Sequence, residues 1–134
     1  MKSSAKAADR IAAVAAGDAP PLVPLDEAID REHLARMTLG EQDLEREVLA
    51  LFDRQASLLL SRMKAAEPAA AGALAHTLKG SAQGIGAWKV AEAAIAVERA
   101  ASEPRAGEIA DALAGLSAAV AETQAAIGEL LRPR

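Results

Sequence analysis

The chain holds 134 residues with 15 basic against 19 acidic side chains, a net charge of −4. That length suits one domain with a single core, and the charge has the wrong sign for a surface that grips nucleic acid or anionic lipid. Cysteine is absent and the histidines are two, His33 and His76, which excludes disulfides, thiolate nucleophiles, iron–sulfur clusters and Cys- or His-rich zinc centres.

Alanine fills 36 positions, tyrosine none, and Phe52 and Trp88 are the aromatics, a composition for helices and against sheets. Residues 1–24 read as an Ala-rich extension: one weak helix over 5–16, then a linker over 17–24 containing Pro20, Pro21 and Pro24. Asp9 and Arg10 break its apolar part, which argues against a secretory leader. No apolar run approaches the ~18 residues of a membrane span, so a cytoplasmic location is expected.

The remaining residues, 25–134, read as one bundle. Asp30 is a good N-cap for a short helix ending at Met37, before Gly40. Thr38 and Glu41 have capping-box spacing. Leu44, Val48, Leu51, Phe52, Gln55, Leu59 and Met63 then recur at helical intervals and predict a core-facing stripe on a rod over 41–64. Pro68 opens a helix over 68–84, and Gly84-Ile85-Gly86 reads as its end or a kink. Val90, Ala94, Val97 and Ala101 mark the next helix, which stops before Pro104. Ile109, Leu113, Leu116, Val120, Thr123, Ile127 and Leu130 alternate steps of four and three, an antiparallel bundle seam. The expected fold is all-α: an up-and-down four-helix bundle with a short additional helix in front.

On a wheel of the helix over 68–84, Leu74, Leu78, Ala82 and Ile85 share one side. His76, Lys79, Gly80 and Gln83, with Thr77 and Gly84 beside them, face solvent. Lys79 lies one turn from His76, where an ammonium can pair with an anion on the imidazole. Gly80 sits mid-helix, where glycine costs ~1 kcal/mol against alanine; a bare position there gives another surface access to the ring. Between Pro68 and Ala91 the sequence has no acidic residue, so this acidic chain is expected to keep a patch fit for a phosphoryl group. His33 reads as a surface or half-buried residue and Trp88 as packing at a helix edge. The Glu41, Asp43 and Glu45 run reads as a solvated face.

His76-Thr77-Leu78-Lys79-Gly80-Ser81 followed by Gly86-Ala87 resembles the H-x-x-K-G-S signature and trailing glycine of histidine-phosphotransfer (HPt) domains, and the resemblance runs from about Leu25 to Leu131. Ala82 and Gly84 depart from it, since a second serine and an asparagine are common there. The resemblance implies a phosphocarrier in which His76 is the phosphoryl acceptor, Lys79 the stabilising cation and Gly80 the clearance position. Gly80, Gln83 and Gly84 would form the docking face. Implied partners are response-regulator receiver domains and a hybrid or sensor histidine kinase.

The chemistry stands beside that resemblance. A neutral imidazole, ordinary pKa ~6.5, offers a ring nitrogen as nucleophile at pH 7 without a general base. In-line transfer needs positioning and charge neutralisation, which a receiver's acidic pocket with Mg²⁺ would supply, so no intrinsic cofactor is expected. The sequence carries no phosphate-binding glycine loop for ATP. A monomeric carrier, not an enzyme with its own ATP site, is expected; a non-transferring helical adaptor for a receiver or kinase is the competing reading.

Overall fold

The computed structural model describes residues 27–103 and 107–133; the expectations for residues 1–24 lie outside these. Five helices and no strand are present among the described residues: α1 (Arg31–Met37), α2 (Gln42–Ala65), α3 (Pro68–Ile85), α4 (Trp88–Ser102) and α5 (Glu108–Leu131). Each long helix packs on its chain neighbour, α5 closes the ring on α2, and α1 rests on α3. No helix is long and apolar enough to cross a membrane.

Few large side chains fill this core. Met63, Leu78, Leu116, Ile127, Val90, Val97 and Val120 are fully buried. Between α3 and α4 the filling is mostly alanine: Ala71, Ala75, Ala82, Ala91, Ala94 and Ala100 are buried. Small side chains let helix axes approach closely, and dispersion contacts then come from near-backbone atoms. The approach is close at Gly72, where an added Cβ would lie 2.9 Å from Ala101 Cβ.

Two expectations for α2 are corrected. Thr38 and Glu41 form no capping box: the Thr38 hydroxyl donates back to the Leu34 carbonyl of α1, and Glu41 is an N-cap without a side-chain bond. The core face of α2 consists of Leu49, Phe52, Ala56, Leu59, Leu60 and Met63, while Leu44, Leu51 and Leu58 are exposed. The two stripes lie on adjoining faces of the same helix, and apolar spacing alone does not choose between them. The α5 seam is as read: Leu116, Val120, Thr123 and Ile127 are buried, with Ile109, Leu113 and Leu130 half-buried at the ends.

Polar groups tie α5 to α2. Arg46 donates to the Leu130 and Leu131 carbonyls, satisfying the open C-terminus of α5. Gln124 Nε2 ties α5 to α2 through the Asp53 carbonyl at 3.0 Å and Ser57 Oγ at 2.7 Å.

The α3–α4 turn and α1 are built as one unit. Helix α3 ends at Gly86 with φ 80°, and the Gly86 and Ala87 amides return to carbonyls of the last turn. A Cβ at Gly86 would lie 2.9 Å from both Cβ and O of Asp30. Asp30 donates its amide to the Gly86 carbonyl, caps the His33 amide through Oδ1 and accepts from Trp88 Nε1 through Oδ2. A glycine is required here for its backbone conformation and for the closeness of α1.

Candidate functional site

Helix α3 buries Leu78, Ala82 and Ile85 and so turns the opposite face outward. His76 stands there with 68% of its side chain exposed. One turn on, an added Cβ at Gly80 would meet nothing within 4 Å, and the same holds for Gly84. Gly80 therefore serves no packing inside the bundle. Beside His76 an open groove of about 380 Å³ runs between α3 and α4, walled by Ala69, Gly72, Ala73 and Ala101. Small residues on both sides leave the imidazole accessible.

The patch is not free of negative charge. Glu98, from α4, accepts a hydrogen bond from His76 Nδ1 at 2.8 Å through Oε2 and an ion pair from Lys79 Nζ at 3.1 Å through Oε1. A carboxylate only accepts, so Nδ1 carries the hydrogen and Nε2 of the neutral ring keeps its lone pair. Burial would raise the Glu98 carboxyl pKa, but hydrogen bonds from His76 and Lys79 outweigh it and hold the group below its ordinary value. Lys79 is not a free exposed cation: its side chain is 23% exposed and already paired.

Glu98 was invisible to local spacing because it lies 22 positions from His76. A weaker signal exists. In an antiparallel pair folded about Gly86 and Ala87, His76 and Glu98 lie at nearly equal distances from the joint, as do Gly72 and Ala101. Counting outward from the turn places a carboxylate opposite the histidine.

The other sequence-chosen residues divide between this face and the α1 end. Gln83 is half-buried, and its carbonyl accepts from His33 Nε2 at 2.9 Å. His33 is not at the surface: it is 6% exposed, and its ring packs against Trp88 with centroids 5.0 Å apart. Burial lowers the His33 pKa, with the Gln83 carbonyl and the Asp30 carboxylate opposing that shift. Trp88 packs at the edge of the bundle as expected. Lys89 pairs with Glu122 of α5 at 3.3 Å. No cluster of His, Asp or Glu able to hold a metal occurs among the described residues.

A family profile described as Hpt domain matches residues 31–131. The fold is similar to the X-ray structure of a rice protein described as a histidine-containing phosphotransfer protein, with TM-score 0.71 and 19% identity, covering 96% of this chain and 94% of that one. No curated protein matches the chain.

Proposed function

Because the chain belongs to the Hpt domain family, we propose that it is a cytoplasmic, monomeric phosphocarrier in which His76 takes a phosphoryl group from one receiver-domain aspartate and gives it to another. The observation that carries this reading is an exposed imidazole whose Nδ1–H is committed to Glu98, which leaves Nε2 as the outward nucleophile. In the loading step the Nε2 lone pair attacks phosphorus in line as the acyl phosphate P–O bond breaks, and the aspartate leaves as a carboxylate. The ring gains a positive charge facing Glu98, and Lys79 faces the same site from one turn away. Mg²⁺ in the receiver's acidic pocket would neutralise the moving phosphoryl group. A hybrid or sensor histidine kinase is the ATP-using partner in this reading.

The docking face of this reading extends past Gly80, Gln83 and Gly84 onto α2. Gln55 Oε1 accepts from Ser81 Oγ at 3.0 Å and so marks the edge of α2 that borders α3. Leu51 and Leu58 stand one turn to either side of Gln55 and are 54% and 52% exposed. Exposed leucines next to a bare helix face suit a receiver that buries apolar surface while its aspartate reaches His76. Replacing Leu51 and Leu58 together by Glu is expected to weaken transfer about tenfold or more, with little loss of stability, because solvated leucines contribute little to folding. Transfer rates and thermal melts of the double variant check this.

The deciding experiment is incubation with a receiver domain charged by acetyl phosphate and Mg²⁺. An acid-labile, alkali-stable label on the chain is expected. A chain that binds the charged receiver and takes no label is an adaptor.

A further inference from the structure

In the reading above, phosphorylation puts a positive charge on the His76 ring, and an imidazole carrying a phosphoryl group on Nε2 can shed that charge by losing its Nδ1 proton. The consequence is chemical. With the proton in place, the N–P bond breaks toward an incoming oxygen, the electron pair returns to Nε2 and the ring leaves neutral. Without it the ring would leave as an anion, a far poorer leaving group. Discharge therefore depends on what holds the proton at Nδ1.

That partner is Glu98 Oε2, 2.8 Å away, and it is a carboxylate where a neutral acceptor would suffice for orientation alone. We propose that Glu98 is a positioning residue for discharge: it retains the Nδ1 proton on phosphorylated His76, so that loading and unloading both proceed without proton exchange with solvent and unloading persists into mildly alkaline solution. This rests on the carrier reading. The charged groups that meet His76 are Lys79 of α3 and Glu98 of α4, and Lys79 is turned to the other carboxylate oxygen at 3.1 Å. The side-chain hydrogen bond between α2 and α3 joins Gln55 and Ser81, which bear no charge. An opposite charge within hydrogen-bond reach raises the pKa of a ring cation by about 1 unit or more. Lys79 partly offsets that carboxylate, and the exposed setting screens it.

The test uses the full chain labelled with phosphoramidate, its spontaneous dephosphorylation followed against pH, and nitrogen NMR of the phosphorylated ring. The ring of phosphorylated wild type is expected to keep its Nδ1 proton to a pH about one unit above free phosphohistidine. The plateau of its discharge rate should extend equally far. In Glu98→Gln, which keeps an acceptor and removes the charge, the break should move about one unit down while Nδ1 orientation survives. A coincident break in wild type and variant overturns the inference. So does a wild-type ring that titrates at or below free phosphohistidine, a measurement that needs no variant. A folded wild-type chain that takes no label overturns the carrier reading and this inference with it, whereas labelling with unshifted titration overturns this inference alone.

Discussion

His76 and His33 belong to the same sequence and to opposite kinds of environment. His76 is mostly in water, hydrogen-bonded through Nδ1 to a side chain of another helix, beside a glycine with empty space above it. His33 is buried, hydrogen-bonded through Nε2 to a backbone carbonyl, and closed in by Trp88 and the turn at Gly86. The first arrangement leaves a ring nitrogen for chemistry; the second uses the ring as a peg that fixes α1 to the end of α3. Their glycines follow suit, since Gly80 has room above it where Gly86 has none.

Substitution of His76 breaks the comparison most sharply. His76→Gln is expected to abolish phosphoryl acceptance and leave the melting temperature unchanged, as labelling and a thermal melt will read; retained label would remove His76 from its place. The glycines come next. Gly80→Gln should slow transfer about 100-fold, because a displacement near 1 Å spoils in-line approach, while stability holds or rises by up to ~1 kcal/mol. Gly86→Ala should do the reverse: a loss of about 1–3 kcal/mol from left-handed backbone strain plus the clash with Asp30, with transfer by the folded fraction near normal. Melts and rates on both variants separate openness from closeness.

Lys79→Ala is expected to lower phosphorylation about fivefold at low salt, an effect that shrinks as screening grows. The smallest effect belongs to His33. Its folded pKa lies below the ordinary 6.5, so on acidification the unfolded chain takes the proton first and the fold loses stability as pH falls below ~6.5. His33→Gln keeps a donor for the Gln83 carbonyl and cannot titrate, and its melting temperature should fall less steeply between about pH 7 and pH 5. Parallel slopes would show that the His33 ring is not the group responsible.

The helices were legible because prolines and capping residues mark their ends, and the α5 seam because one apolar stripe has one place to go. The stripe of α2 was legible only in part: Phe52, Leu59 and Met63 do pack inward, but the helix carries a second apolar row, with Leu44, Leu51 and Leu58, that stays outside. His76, Lys79 and Gly80 stood out by spacing within a single helix. Glu98 did not, since its place opposite them is made by the packing of α4 on α3, as is the burial of His33 by the packing of α1. Local pattern reports what one helix presents, and a side chain delivered from the next helix enters only through the register of the turn between them.

The contact between Gly72 and Ala101 bears on that register. It brings α3 and α4 close together one turn from the His76–Glu98 bond, where the spacing of the two helices bears on the reach between ring and carboxylate. A side chain at position 72 would have to push the two helices apart, and would lengthen the span that the His76–Glu98 bond bridges.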